Sequence, residues 1–185
     1  MGRFLFTLRG EIDWEWAFPD GSYIRAHQHA SGARIGEERA IGKSRGGATN
    51  KIHMLSDANG NPVDFQITGG ETHDCKVADD LIEMIEEEGV TFIADKGYDS
   101  ESIREKARQK GITPVIPKRK GGTKPNPDFD RALYKHRHLV ENLFAKLKHF
   151  RSIATRYEKL KRNYQSMLRL ACSVIWLKLQ VAVSI

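Results

Sequence analysis

The stretch that decides the fold is KIHMLSDANGNPVDFQITG, residues 51–69. It contains two runs, KIHMLSD and PVDFQITG, in which side chains alternate with the period of a strand. The linker ANGN joins them, and its Asn59-Gly60 pair is a strong hairpin signal. We therefore expect two antiparallel strands here. The preceding stretch WEWAFPDGSYIRAH (14–27) predicts a further strand that ends in a glycine-containing turn at Asp20.

Beyond the hairpin, helix and strand patterns alternate. Asp74 is the expected N-cap of the first helix, Ser100 caps the second, and Gly89 and Gly111 end them. The patterns predict a helix over 74–89, a buried strand over 90–95, a helix over 100–111, a proline-broken edge strand over 112–118, and helices over about 129–150 and 160–182.

This order predicts an α/β protein with a mixed sheet, in which three antiparallel strands are followed by parallel strands reached through helices. We expect a single domain over 1–185, with a lead segment (1–12) and a carboxy-terminal helix (160–185). Chemistry in open α/β sheets lies at the carboxyl ends of strands, and Asp20 and Asp95 both fall where a predicted strand ends.

The charge of the chain is unevenly distributed. Residues 1–100 carry 10 Lys and Arg against 18 Asp and Glu, whereas residues 101–185 carry 20 against 6. A basic half of this kind indicates a polyanion binder, either nucleic acid or an anionic membrane surface. Two cysteines are too few for a disulfide framework, which makes a reducing, cytoplasmic compartment the expectation. The most apolar run, LACSVIWL (170–177), is too short to span a bilayer.

A single acid stands out in the basic helix YKHRHLVENLFAKLK (134–148). Helical spacing places Tyr134, Arg137 and Lys148 on the same stripe as Glu141. The apolar positions fall on the opposite face: Leu139, Leu143, Leu147 and Phe150. Glu141 therefore lies in the middle of a narrow polar stripe, which is either a solvated face or part of a site.

Three carboxylates lie at element edges or on a polar stripe: Asp20, Asp95 and Glu141. Oxygen-rich sites built from carboxylates suit Mg²⁺ or Mn²⁺. Two such ions activate a water and stabilise the leaving oxygen in phosphodiester chemistry. Arg137 and Lys148 would then hold nucleic-acid phosphates. In the absence of metal, we expect the carboxylates to spread, or Lys96 and Lys148 to neutralise them. Taken singly, each aspartate is more typical of an ordinary turn than of a metal ligand.

Other site patterns are weaker. His27, His29, His73 and Cys75 have spacings that match no common zinc finger. The stretch beginning at Asp57 imitates an EF-hand loop but lacks its glycine and its final glutamate. GKSRGG (42–47) lacks P-loop spacing, although its backbone and Arg45 suit a DNA phosphate.

The spacing Tyr134-x2-Arg137-x3-Glu141-x6-Lys148 resembles the Tyr-Arg-Glu-Lys signature of bacterial insertion-sequence transposases. ADKGYDS (94–100) resembles their Asp-x-Gly-Tyr block. DGSYIRAHQHASGA, GKSRGGATNKIH and RSIATRYEK are similar to the corresponding blocks of DDE transposases of the insertion-sequence-5 type. The resemblance covers roughly residues 12–180.

The resemblance implies an RNase H-like fold and a transposase that hydrolyses DNA at transposon ends and joins the freed 3′-hydroxyl to target DNA. It implies that Asp20, Asp95 and Glu141 are catalytic and bind two divalent ions, Mg²⁺ or Mn²⁺, and that the enzyme is a homodimer on DNA. The expected DNA-contacting residues are Arg25, Arg45, Lys96, Lys118, Arg119, Lys120, Tyr134, Arg137 and Lys148.

Two departures from the family pattern have consequences. Family members usually read Asp-Ser-Thr or Asp-Ala-Ser where this chain has Asp20-Gly21-Ser22. They also carry a helical segment on the amino side that helps to recognise transposon ends. We expect that segment to lie on a separate polypeptide or to be missing, so that this chain alone binds DNA with little sequence preference. An inactive, DNA-binding remnant and a structure-selective nuclease of the same fold are the alternative functions.

Overall fold

The structure, a computed structural model, describes residues 11–31, 39–119, 126–127 and 129–183, with the backbone alone for 178–183. Within these residues a sheet of seven strands forms the centre of the molecule. The strands are β1 (Trp16–Ala26), β2 (Gly42–Ser44), β3 (Gly47–Ser56), β4 (Pro62–Gly69), β5 (Thr91–Ile93), β6 (Thr113–Val115) and β7 (Thr155–Arg156).

Helices cover both faces of the sheet. They are α1 (Ala78–Glu83), α2 (Glu101–Gln109), α3 (Arg131–Tyr134), α4 (His138–Lys148), α5 (Arg151–Ala154) and α6 (Lys161–Val183). Short 3₁₀ turns span Gln28–Ser31, Asp74–Lys76, Lys96–Tyr98 and Lys135–Arg137. None of the helices in the described ranges combines the length and apolar character needed to cross a membrane.

The sheet has the mixed topology predicted from the sequence. Its strands lie in the order β2-β3-β1-β5-β6, with β4 paired to β3 and β7 paired to β1. The pairs β1–β3 and β3–β4 are antiparallel, whereas β5 runs parallel to β1 and β6 runs parallel to β5. β6 lies at the end of this order, so the prediction of a proline-containing edge strand is confirmed.

The β3–β4 hairpin forms as predicted. Gly60 has a φ of 76°, a conformation that glycine adopts readily. The Asp57 carboxylate accepts hydrogen bonds from the backbone nitrogens of Asn59 (3.0 Å) and Asn61 (2.7 Å). The aspartate at the start of the stretch that resembles a calcium-binding loop therefore stabilises the hairpin turn.

The prediction of a turn at Asp20 is wrong. β1 continues through Asp20 to Ala26, because its backbone pairs with β3 along the whole length, from Phe18 opposite Ser56 to Arg25 opposite Thr49. Gly21 lies extended within this ladder. Its importance is steric, since a Cβ at this position would overlap the carboxylate of Asp74.

Two predicted helices are shorter than expected. Over 74–89 the chain forms the 3₁₀ turn Asp74–Lys76 followed by α1, and the side chain of Asp74 contacts β3 rather than capping a helix. Over 129–150 the chain forms α3, a 3₁₀ turn and α4. Ser100 is at the N-cap of α2 as predicted, but its hydroxyl bonds to Ser102 (2.7 Å) instead of the helix backbone.

The apolar core has two parts, one on each face of the sheet, because successive strand residues point to opposite faces. One part packs β1, β3 and β4 against α4 and α6, and includes Ile52, Leu143 and Leu168. The other packs the sheet against α1 and α2, and includes Leu81 and Ile103. Burial of Leu143 and Leu147 confirms the predicted apolar face of α4.

Candidate active site

The adjacent parallel strands β1 and β5 carry Asp20 and Asp95 to the same place. Trp16 pairs with Thr91 and Ala17 with Phe92. Continuing this register by three residues brings Asp95 level with Asp20. Neighbouring strands lie about 4.8 Å apart, so two aspartates become neighbours although 74 residues separate them in sequence.

The environment of Asp20 disfavours its charged form. The pKa of Asp20 is raised from its ordinary value of 3.8 to about 6, chiefly by burial, and the Asp95 and Asp74 carboxylates contribute to this rise. Arg137 and a hydrogen bond from the Gly21 backbone act in the opposite direction without cancelling the burial. The ionised form of Asp20 is therefore less favourable in the folded protein than in water, mainly because the carboxylate is buried.

Arg137 is the cation that contacts this charge. Its Nη2 lies 3.2 Å from Oδ1 of Asp20, and its Nη1 lies 4.0 Å from Oε1 of Glu141. Glu141 follows Arg137 by four residues on the first turn of α4, with a side chain that is 62% exposed. Asp20 and Glu141 thus approach a single guanidinium from two elements. The sequence prediction named Lys96 and Lys148 as the neutralising groups, whereas Arg137 takes this position.

The loop that carries Asp95 is held by several hydrogen bonds. Oδ1 of Asp95 accepts from the backbone nitrogen of Gly97 at 2.6 Å. The Arg119 guanidinium donates to the carbonyls of Lys96 (2.9 Å) and Gly97 (3.0 Å). Buried Arg104 donates to Asp99 at 2.8 Å. Arg119, which was predicted to contact DNA, therefore has a clear role in fixing this loop.

A polar network that the sequence prediction missed lies beside Asp20. Lys51 Nζ donates to Oδ2 of Asp74 at 2.7 Å, and His53 Nδ1 lies 3.1 Å from Oδ1 of the same carboxylate. The other ring nitrogen of His53 lies 2.8 Å from the Thr68 hydroxyl. Burial alone would raise the pKa of Asp74, but the bonds from His53 and Lys51 outweigh it and leave the pKa below 3.8.

The sequence does contain a signal for part of this network. Lys51 and His53 are two residues apart in a strand pattern, so they lie on one face, and both are buried. A lysine and a histidine on one face of a buried strand require an acidic or hydrogen-bonding partner. The identity of that partner, Asp74, depends on a contact across 21 to 23 residues.

The other cations predicted to contact DNA lie at several separate places. Four of them have exposed side chains: Arg25, Arg45, Lys96 and Lys148. Lys118 pairs with Glu101 at 3.7 Å. Lys120 lies outside the described residues. Tyr134 lies 5.7 Å from the Arg137 guanidinium, measured from ring centroid to Cζ. Arg25 also lines a surface pocket of about 450 Å³ with His27, Gln28 and Thr155.

The donor set around Asp20 fits a hard divalent cation. Asp20, Asp95 and Glu141 offer carboxylate oxygens, the ligands that such cations prefer. Among the described residues, no three His, Cys, Asp or Glu side chains are arranged to hold one ion together. His27 and His29, considered above as zinc ligands, contact each other through their rings at 4.6 Å, and His27 stacks on Tyr157 at 4.7 Å.

Comparison with known sequences places the chain in a family. The family model described as "Transposase DDE domain" matches residues 19–176. A putative transposase for insertion sequence element IS6501 from Brucella ovis is 35% identical over 134 residues, which are 70% of this chain and 99% of that protein. A putative transposase for insertion sequence element IS402 from Burkholderia cepacia is 33% identical over 136 residues, which are 68% of this chain and 62% of that protein.

The fold also has a solved counterpart. The piggyBac transposase, in a synaptic complex with hairpin DNA, superposes with a TM-score of 0.58 at 12% identity, over 92% of this chain and 48% of that one. This likeness confirms the predicted RNase H-like fold. The assignment to the insertion-sequence-5 type stays a prediction.

Proposed function

The chain belongs to the DDE transposase family, and from this premise we propose that Asp20, Asp95 and Glu141 bind the divalent ions with which it cuts and joins DNA. Metal dependence is a property of the family. The number of ions, two, and their identity, Mg²⁺ or Mn²⁺, are part of this proposal.

The observation that carries the proposal is the position of Asp20. It lies inside the sheet, with Asp95 just beyond the end of the adjacent strand β5, and burial raises its pKa to about 6. Arg137 pairs with this carboxylate at 3.2 Å but does not offset the cost of its burial. A divalent cation would remove that cost, because it supplies the charge that Arg137 alone does not.

The role of each residue follows from its place. Asp20 and Asp95 would hold a cation between two parallel strands, and Glu141 would close the site from α4. When bound, the ions would activate the attacking hydroxyl and stabilise the leaving oxygen. Arg137 lies between Asp20 and Glu141 in the structure, so it is in position to pair with a phosphate when the carboxylates turn to the metal.

The substrate would be the DNA of the element's inverted-repeat ends, followed by target DNA. The basic second half of the chain supports a polyanionic substrate, and the exposed side chains of Arg25, Arg45, Lys96 and Lys148 supply candidate phosphate contacts. We expect a homodimer, because an element has two ends and each needs an active site. Two free cysteines and a DNA substrate agree with action in the cytoplasm.

The test is cleavage of DNA that carries the inverted repeats flanking the gene, with Mg²⁺ or Mn²⁺. Glu141→Gln should abolish cleavage and leave DNA binding intact. Glu105→Gln is the matched control, since Glu105 is also a largely exposed glutamate on a helix (59% against 62% for the side chains). It should change neither property.

Each other result contradicts a specific part of the proposal. Binding without cleavage of any DNA by the unmodified chain, with either ion, would identify an inactive remnant. Metal-dependent cleavage that requires a particular DNA structure, independently of the repeats, would identify a structure-selective nuclease. Loss of DNA binding in Glu141→Gln would show that Glu141 supports the fold or the DNA contact rather than the metal.

A further inference from the structure

A surface pocket at the carboxyl end of β1 lies apart from the proposed active site. It has a volume of about 450 Å³ and is lined by Arg25, Ala26, His27, Gln28 and Thr155. Arg25 pairs with Thr155 across the parallel strands β1 and β7, so the sheet holds these residues in register. Pockets that bind small ligands have volumes of about 300–1,000 Å³, so this one has room for a group of that size.

Aromatic rings stand beside the cation of this pocket. The ring of His27 lies against the ring of Tyr157, with centroids 4.7 Å apart and 31° between the planes. His29 contacts His27 edge-on at 4.6 Å. Tyr157 is 49% exposed, so its ring is accessible from solvent. An arginine and accessible aromatic rings are the groups with which proteins bind the phosphates and the bases of a nucleic-acid strand.

Hydrogen bonds hold these rings in place before any ligand binds. The backbone nitrogen of His27 donates to the Arg156 carbonyl at 2.8 Å, and the backbone nitrogen of His29 donates to Nδ1 of His27 at 3.3 Å. Arg156 is buried, and its Nε donates to the Glu158 carbonyl at 2.9 Å. The residues on both sides of Tyr157 are therefore fixed, which lowers the cost of ordering them on binding.

The pocket favours an unpaired nucleotide over an intact duplex. In a duplex each base is stacked inside the helix, so the duplex offers phosphates to Arg25 but no free base to the rings of His27 and Tyr157. The bases of a single strand are free to stack on aromatic side chains. The neighbouring chain suits a strand as well, because residues 146–162 contain seven Lys and Arg and one acid, Glu158.

The pocket is within reach of a strand held at the active site. Arg25 follows Asp20 by five residues in the extended strand β1, a distance of about 17 Å. The phosphates of one strand of DNA are about 3.4 Å apart along the duplex axis. A strand with a phosphate at Asp20 therefore reaches the pocket about five nucleotides away, and cutting at Asp20 would create a strand end close enough to enter it.

We propose that this pocket binds one unpaired nucleotide of a DNA strand, with Arg25 on its phosphate and its base stacked against the His27–Tyr157 pair. The inference rests on the proposed function, which supplies DNA as the ligand. Loss of one stack between a base and an aromatic side chain typically weakens single-strand binding about tenfold.

The test measures binding of the full chain, with chelator, to a fluorescent oligothymidylate of about 12 nucleotides and to a duplex of the same length, by anisotropy. Tyr157→Ala should weaken single-strand binding about tenfold and leave duplex binding unchanged. Tyr157→Phe keeps the ring and should bind both as the unmodified chain does. Arg25→Ala should lower the slope of log affinity against log salt by about 0.7 for the single strand, as expected for one lost phosphate contact.

The matched control is Tyr23→Ala. Tyr23 is also an exposed tyrosine (53%), but its ring lies 4.7 Å from Nζ of Lys51, measured from the centroid, and does not line the pocket. This variant should bind the single strand as the unmodified chain does. An equal loss in Tyr23→Ala and Tyr157→Ala would overturn the assignment of the site to the pocket.

A second measurement uses the unmodified chain. A single strand that contains one 5-iodouracil should crosslink on irradiation to Tyr157 or His27, as mapped by mass spectrometry of the peptides, and the same strand in a duplex should not. Absence of single-strand binding, equal losses for single strand and duplex in Tyr157→Ala, or crosslinks only at other residues would overturn the pocket, while cleavage of the inverted repeats would still support the proposed function. Single-strand binding that depends on Tyr157, in a chain that cuts no DNA with either ion, would support the pocket and overturn the proposed function.

Discussion

Replacing Asp20 by Asn should stabilise the metal-free protein at neutral pH. The side chain of Asp20 is 20% exposed, and its charge lies close to those of Asp95 and Asp74. Asparagine has nearly the same shape, keeps an oxygen that accepts from Arg137, and carries no charge. The variant would therefore remove the repulsion and the cost of desolvation while keeping the packing of β1.

The size of the effect follows from the pKa of Asp20. Folding raises it from 3.8 to about 6. Each unit corresponds to about 1.36 kcal/mol, so ionised Asp20 costs the folded state about 3 kcal/mol. A raised carboxyl pKa means that the folded state binds the proton more tightly. Protonation of Asp20 therefore contributes to the free energy of unfolding. This contribution is complete below pH 3.8 and is lost as the pH rises through about 6.

The assay is urea unfolding with chelator, followed by tryptophan fluorescence. The free energy of unfolding of Asp20→Asn should exceed that of the unmodified chain by about 3 kcal/mol near pH 7.5 and by about half as much near pH 5. Asp79→Asn, at an exposed aspartate of α1, is the matched control and should change stability by less than about 0.5 kcal/mol. Added Mg²⁺ should reduce the difference in free energy of unfolding between the two proteins, because the ion stabilises the chain that has the Asp20 carboxylate and not the asparagine variant. A variant that is less stable than the unmodified chain near pH 7.5, or a gap independent of pH, would refute this reasoning.

Two further predictions concern the network beside Asp20. Asp74→Ala should lower the free energy of unfolding by about 3–5 kcal/mol, because it leaves Lys51 and His53 buried without the carboxylate that they contact. Urea unfolding measures this loss, and a value below about 1 kcal/mol would contradict the prediction. Gly21→Ala should cost about 1–3 kcal/mol, because the new methyl group would overlap the Asp74 carboxylate and the end of the Lys51 side chain. In a double-mutant cycle the Gly21→Ala cost should be smaller when Asp74 is already alanine, since one of the two overlaps is then removed, and full additivity would show that the two sites do not touch.

The sequence predicted the parts of the fold that local patterns encode. The hairpin at Asn59-Gly60 follows from turn chemistry, and the position of Asp95 at the end of β5 follows from a short apolar run. The polar stripe around Glu141 follows from helical spacing. Each of these needs only a few consecutive residues to be recognised.

The wrong and missing predictions involve long-range contacts. Pro19-Asp20-Gly21 has the composition of a turn, but pairing with β3 holds it extended, and that partner lies more than 30 residues away in sequence. The network around Asp74 was missed for the same reason, since Lys51 and His53 reach it from another strand. The inward position of Arg137 depends on how α4 docks on the sheet, which helical spacing does not specify.

The measurement that tests the central claim most directly is iron-mediated cleavage of the polypeptide. Fe²⁺ would replace the natural ion, and ascorbate with peroxide would generate radicals that cut the backbone next to the bound metal. If Asp20, Asp95 and Glu141 bind the ions together, cuts should appear close to all three residues, and Asp20→Asn or Asp95→Asn should suppress the whole set. Excess Mg²⁺ should suppress the cuts by competition. Cuts elsewhere in the chain, or cuts near one of the three residues that survive these substitutions, would contradict a shared metal centre.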